Sequence, residues 1–294
     1  MRGWLRPLAA LALSATAASA QADPRIFISV DMEGISGVGT GAMTSSGGKD
    51  YATARRLMTD EVNAVVEAIF ARGPAEIVVN DSHGDHQNVL HTDLDPRVTY
   101  IQGSIKPLGM VSGLDGSFDG AIFLGYHARA GDPTGFLAHT GTGSVKGLWL
   151  NDVEVGEAGM NAAFAGMHGV PVILAAGDSA FTAEIRSFLA AETVTTKTSV
   201  TPAAARLRHP VVVHDDLRQA TARALDRLQR GQIPPWDVGT PVRLRMRFTS
   251  PTHVAILQSI PGVSREDGYT VTYRADDADE AYRLIRLMYR FVRE

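Results

Sequence analysis

Short unbroken apolar runs alternate along this chain with longer stretches in which apolar residues recur every three to four positions. R-I-F-I-S-V-D (residues 25–31), E-I-V-V-N-D (76–81), V-T-Y-I-Q-G (98–103) and P-V-I-L-A-A-G-D (171–178) read as strands. D-G-A-I-F-L-G-Y-H (119–127) is apolar throughout, which predicts a strand buried on both faces. Residues 50–71 carry the helical period and stop at Gly73-Pro74, and residues 157–168 form a second helix. G-L-W-L-N-D-V-E-V (147–155) reads as a hairpin with Asn151-Asp152 at its turn. This alternation of strand and helix predicts an α/β fold with a mostly parallel sheet flanked by helices.

The pattern changes in the last third. After T-V-T-T-K-T-S (193–199) comes an arginine-rich helix around residues 217–230, broken by Pro234-Pro235. P-V-R-L-R-M-R-F (241–248) alternates apolar and basic residues, as a half-exposed strand does. A short helix, the strand G-Y-T-V-T-Y-R-A (268–275) and a closing helix over residues 277–293 complete the chain. The expected organisation is an α/β domain over residues 21–200 and a smaller α+β unit over residues 201–294.

Residues 1–20 stand apart. Two arginines, an apolar small-residue stretch and A-S-A ending at Ala20 follow the order of a cleaved secretory signal. The apolar part is short for a membrane span, so a retained N-terminal anchor is the less favoured alternative. The expected location is outside the cytoplasm, in the periplasm. Of 28 basic residues, Arg2 and Arg6 would leave with the signal and the 32 acids would stay, so the mature net charge is 26 − 32 = −6. No basic tract is present, which argues against nucleic acid as a partner. Cysteine is absent, so no thiolate is available as nucleophile or ligand, and a metal site must come from His, Asp and Glu.

The strand ends carry such residues. The first ends in D-M-E, with Asp31 and Glu33. The second ends in N-D-S-H-G, with Asp81 and His83, and the apolar one in G-Y-H-A, with His127. Behind the hairpin, V-G-E-A-G places Glu157 at the start of a helix. Ligands in open α/β sheets sit outside the carboxyl ends of the strands, so these acids and histidines converge on one edge. Two buried carboxylates one residue apart repel unless something positive lies between them, and carboxylate with imidazole is a donor set for a divalent metal. Each residue also has an ordinary reading: a solvated or capping acid, a turn histidine, a satisfied core histidine, or a first-turn glutamate on the helix dipole. His86 and His91 read as turn histidines. Asp81 and Ser82 are placed to hold His83, and Asn161 either orients a ligand or packs within its helix.

Together, S-V-D-M-E-G-I-S-G, V-N-D-S-H, F-L-G-Y-H-A and V-G-E-A-G-M-N-A resemble the zinc-dependent D-aminopeptidases of peptidase family M55. The likeness runs in order from about Ile26 to Asp178 and fades through residues 180–250. It implies two zinc ions per subunit, held by Asp31, Glu33, His83, His127 and Glu157, with Asp31 bridging. It also implies a catalytic histidine at His139 in F-L-A-H-T, although Ala138 stands where the family has serine. The implied substrates are short peptides with an N-terminal D-amino acid, such as D-Ala-D-Ala, and the implied assembly is a homo-oligomer, a decamer. Two other function classes fit an exported α/β protein: a periplasmic peptide- or metal-binding protein, or a di-metal amidase or phosphatase of other specificity.

Overall fold

The computed structural model describes residues 23–291; the expected signal over residues 1–20 lies outside them. In chain order the strands are β1 (Arg25–Val30), β2 (Glu76–Asp81), β3 (Thr99–Ile101), β4 (Gly120–Tyr126), β5 (Val145–Leu150), β6 (Val153–Glu154), β7 (Val172–Asp178), β8 (Glu192–Thr201), β9 (Ala204–Leu207), β10 (Val242–Phe248), β11 (Ser264–Arg265) and β12 (Thr270–Ala275). The helices are α1 (Tyr51–Phe70), α2 (Glu157–Met167), α3 (Ser179–Phe188), α4 (Pro210–Gln229), α5 (Pro251–Leu257) and α6 (Ala278–Phe291).

Seven strands form one sheet in the order β3-β2-β1-β4-β7-β8-β9, parallel except for β8 with β9. β4 and β7 are buried along their whole length, as a parallel sheet covered on both faces requires. The pleat of β1 divides its side chains. Ile26, Ile28 and Val30 enter one core with Met58 and Val62 of α1 and Val213 and Leu217 of α4. Phe27 enters the other core with Phe164 of α2 and Phe181 of α3. The sheet is therefore flanked by helices, as the sequence pattern predicts.

A second sheet is antiparallel, in the order β11-β12-β10-β5-β6. β10 buries its apolar positions and exposes Arg243 and Arg247, as its alternation implies. The hairpin turns at Asn151, which adopts φ +53°, and then joins β10, not the large sheet. The division of the chain near residue 200 does not coincide with the division into sheets: β9 and α4 sit on the large sheet, and β5 and β6 sit in the small one. Strand pairing of this kind is non-local and leaves no mark on local periodicity. α2 touches the large sheet, α6 touches the small one, and the two helices pack together through Phe164 and Tyr282, whose ring centroids are 5.1 Å apart.

The strand order places the site. From β1 the chain runs to β2 and β3 on one side, then returns to β4 on the other. The crevice beyond the carboxyl ends of β1 and β4 is thus the point where the winding reverses, the place where such sheets bind ligands.

Candidate metal centre

Asp31 follows β1, His127 follows β4, His83 lies two residues beyond β2, and Glu157 opens α2. All four are buried, and so is Glu33. Two groups form, Asp31 with Glu33 and His83, and His127 with His139 and Glu157; within each, one potential ligand atom per residue lies within 4.8 Å of the others. Asp31 spans both. Its Oδ1 lies 3.0 Å from His83 Nδ1 and its Oδ2 lies 3.4 Å from His127 Nε2. His127 Nε2 is also 3.5 Å from Glu157 Oε2.

The histidines share one arrangement. His83 donates its Nε2 proton to the Thr44 carbonyl at 2.7 Å, leaving Nδ1 toward the acids. His127 donates from Nδ1 to the Ala128 carbonyl at 3.0 Å, and His139 from Nδ1 to the Leu137 carbonyl at 2.9 Å, so each leaves Nε2 toward Glu157. One ring nitrogen fixed by a carbonyl and the other aimed at converging carboxylates is the geometry of metal-binding histidine. Two inward atoms, Glu33 Oε2, which lies 3.0 Å from His83 Nδ1, and His127 Nε2, are buried without a well-formed hydrogen bond. Orphaned buried polar atoms are costly, and a cation between them would satisfy both.

The electrostatics point the same way. Burial, with Glu33 alongside, pushes the Asp31 carboxyl up to about 7. Burial opposes ionisation of Glu33 too, but the imidazoles of His83 and His127 hold it well below the usual carboxylate range. His127 likewise overcomes burial to hold Glu157 at about 2. Burial disfavours charge on His83 and His127, yet Glu33 and Glu157 keep both rings well above their ordinary values. The protein has built a buried well for positive charge, which protons and a divalent cation compete to fill.

Glycines bring the two strand ends together. Gly34 N–H donates to the Gly125 carbonyl at 2.7 Å. A Cβ at Gly34 would collide with the Tyr126 carbonyl, and one at Gly125, where φ is +67°, with the Asp31 carbonyl. Only residues without side chains allow the acid-bearing loop to lie this close to the strand that carries His127.

β8 clamps the same loop. Thr196 Oγ1 donates to the Gly34 carbonyl at 2.5 Å, and Lys197 Nζ donates to the carbonyls of Glu33 and Val38 at 2.5 and 2.6 Å. Lys197 is fully buried, and its burial lowers the ammonium to about 7. On the other side, the carboxylate of Glu61 in α1 accepts from Ser36 N and Oγ at 2.9 and 2.6 Å. Lys197→Met should leave two buried carbonyls without donors and cost roughly 2–4 kcal/mol of stability. Urea unfolding measures this; a loss below about 0.5 kcal/mol would show the clamp to be dispensable.

The supporting residues divide by what they touch. The Asp81 carboxylate accepts from the backbone of His83, Asn88 and Val89 and from Tyr100 Oη, so it shapes the loop that carries His83. Ser82 points away, to Ser29 Oγ at 2.6 Å, and does not hold the ring. Asn161 is buried and donates to Tyr126 Oη at 2.9 Å. His86 donates to the Asp81 carbonyl, and His91 stacks on Tyr100.

His139 stacks on His127 with ring centroids 4.0 Å apart, and its Nε2 is 3.8 Å from Glu157 Oε1. Burial and the neighbouring His127 lower its pKa. Its side chain is 33% exposed against 1% for His127, so it faces the open side of the site. A cavity of about 410 Å³ opens there, lined by Asp31, His83, His139, Glu157, Arg286 and Tyr289. A larger hollow of about 690 Å³ beside Ile69 and Leu225 gathers no histidine and no such convergence of ligand atoms.

The sequence profile of peptidase family M55, D-aminopeptidase, matches residues 25–287. The chain belongs to this family. The match continues through residues 180–250, where the short motifs fade. The D-aminopeptidase of Bacillus subtilis (strain 168) is 35% identical over 266 residues, spanning 90% of this chain and 96% of that protein. The solved structure of the Zn-dependent D-aminopeptidase DppA from Bacillus subtilis, a self-compartmentalizing protease, matches with a TM-score of 0.87 at 34% identity, over 90% of this chain and 97% of that one. Membership in the M55 family agrees with the resemblance carried by the four motifs.

Two side chains of the site escape a reading of motifs. Lys197 lies in a polar threonine run with no mark of burial. Arg286 did carry a signal: it falls on the apolar stripe of α6, beside Ile285 and between Tyr282 and Tyr289.

Proposed function

We propose that this chain is a metal-dependent D-aminopeptidase that removes N-terminal D-amino acids from short peptides such as D-Ala-D-Ala. The observation that carries it is the set of three histidines, each with one nitrogen held by a backbone carbonyl and the other turned to three buried carboxylates. Asp31, Glu33 and His83 would hold one zinc ion, and His127 and Glu157 a second, with Asp31 shared. When bound, two such ions supply Lewis-acid polarisation of the scissile carbonyl and lower the pKa of a water molecule toward neutrality.

The protein's own groups do the rest. A carboxylate of the site or the bound metal would hold the free amino group of the substrate, which would make the enzyme an aminopeptidase. His139, its Nδ1 proton committed to Leu137, offers Nε2 to carry a proton to the leaving amine. The buried walls keep competing water from the hydrogen bonds of the site.

The signal-like residues 1–20 support export, and we place the enzyme in the periplasm, where short D-peptides shed from the cell wall would reach it. Its likeness to a self-compartmentalizing protease supports a homo-oligomer; the number of subunits, ten in our reading, is what mass photometry of the mature protein would count.

The test is hydrolysis of D-Ala-D-Ala beside L-Ala-L-Ala, with zinc and after chelation. Zinc-dependent cleavage of the D form alone is expected. Peptide bound but left intact would return the chain to the binding-protein reading. Cleavage of other amides or of phosphate esters, with D-Ala-D-Ala untouched, would make it a di-metal hydrolase of other specificity.

A further inference from the structure

Arg286 brings a buried positive charge to the cavity wall opposite in character to the acidic cluster. It is only 8% exposed. Nη1 donates to Tyr289 Oη at 3.0 Å and Nη2 to the Lys106 carbonyl at 3.1 Å, both neutral acceptors. Nε is buried with no partner. Among the described residues, no carboxylate lies within 4 Å of the guanidinium, although most other arginine ion pairs of the chain are at the surface. A buried cation without a counter-charge is costly and calls for one from outside.

The place for the guanidinium is prepared. Gly109 has φ +49°, and a Cβ there would collide with Nη1 of Arg286. Gly141, at φ +71°, similarly makes room for the Tyr289 ring, and its N–H donates to Glu157 Oε1 at 2.6 Å. A second buried cation stands behind: Lys106 Nζ donates to Asn80 Oδ1 and the Asp81 carbonyl at 2.6 Å each. Arg290 lines the same cavity. The cavity thus has an acidic, metal-ligating end and a basic end.

We propose that Arg286 anchors the free C-terminal carboxylate of the substrate, so that the enzyme selects short peptides unblocked at both ends. This rests on the aminopeptidase reading above. The guanidinium has donors left over, and its fork suits a carboxylate better than an ammonium would. The amino end of the peptide meets the metal-ligating end of the cavity while its carboxyl end meets Arg286, and a peptide amide loses the charge-assisted part of the second contact.

The experiment compares kcat/KM for D-Ala-D-Ala and D-Ala-D-Ala amide on the zinc-loaded full chain, wild type against Arg286→Gln and Arg286→Lys. A charge-assisted contact predicts about a 10–100-fold preference for the free acid in the wild type. In Arg286→Gln the ratio should fall to within about threefold of one, with the change for the acid mostly in KM. Arg286→Lys should keep part of the preference, and it serves alone if the glutamine variant does not fold. Equal turnover of acid and amide by the wild type overturns the proposal, as does a loss in the variants that is the same for both substrates. If neither peptide is cut, the aminopeptidase reading fails, and calorimetric binding of the two intact ligands then decides for Arg286: tighter binding of the acid upholds the anchor, and equal binding overturns it.

Discussion

Asp31→Asn should leave a folded protein that cannot hold its metal and has no measurable peptidase activity. Among the described residues, Asp31 is the side chain with an oxygen toward each group, Oδ1 to His83 and Oδ2 to His127. The substitution keeps the shape and removes a charge. It also turns an acceptor into an amide donor in the middle of the ligands. In the metal-free chain this costs little, because burial and Glu33 already favour a neutral group there, with the carboxyl pushed up to about 7. Replacing even an outer partner of a metal ligand costs about 10–100-fold in metal affinity, and a shared ligand should cost more at both positions. Metal content by atomic emission, together with the thermal midpoint of the chelated protein, checks this. A variant that keeps two zinc ions, with activity within about tenfold of wild type, would remove Asp31 from the centre of the site.

His139→Ala should lose about 10²–10⁴-fold in kcat and keep its metal, the loss expected of a proton-transfer group. His127→Ala should lose metal and activity together. The two rings stack 4.0 Å apart, so the contrast between the variants tests role and not location. His127 is sealed among Asp31 and Glu157, whereas His139 has a third of its side chain toward the cavity. Metal loss from His139→Ala would make it a ligand, as its place in the second group also allows. Full turnover with metal retained would remove it from the chemistry.

The parts of this architecture legible in the sequence are those set by local pattern. Uninterrupted apolar runs marked β1, β4 and β7 because a parallel sheet covered by helices exposes neither face. The alternation in V-R-L-R-M-R-F marked β10 because one of its faces is wet. β8 and β9 left no such mark. β8 is built of threonines with a buried lysine, and its register depends on partners on either side in space. The hairpin was legible as a hairpin, but its sheet was not, since nothing in G-L-W-L-N-D-V-E-V names β10 as its neighbour. Lys197 and Thr196 were hidden for the same reason: their acceptors are carbonyls more than 150 residues away.

By itself the sequence determined which chemical groups stand at the ends of the strands: acids after β1, imidazoles after β2 and β4, a glutamate opening α2. It determined that much because burial and secondary structure follow from the spacing of apolar residues along the chain. The tertiary structure alone decided that Asp31 lies between two groups, that each histidine turns a chosen nitrogen inward, and that Arg286 enters the opposite wall. Those outcomes rest on strand order, on glycines that let backbones touch, and on carbonyls that orient rings. Backbone hydrogen bonds are chemically alike for every strand pair, so partner choice emerges only when the whole core packs.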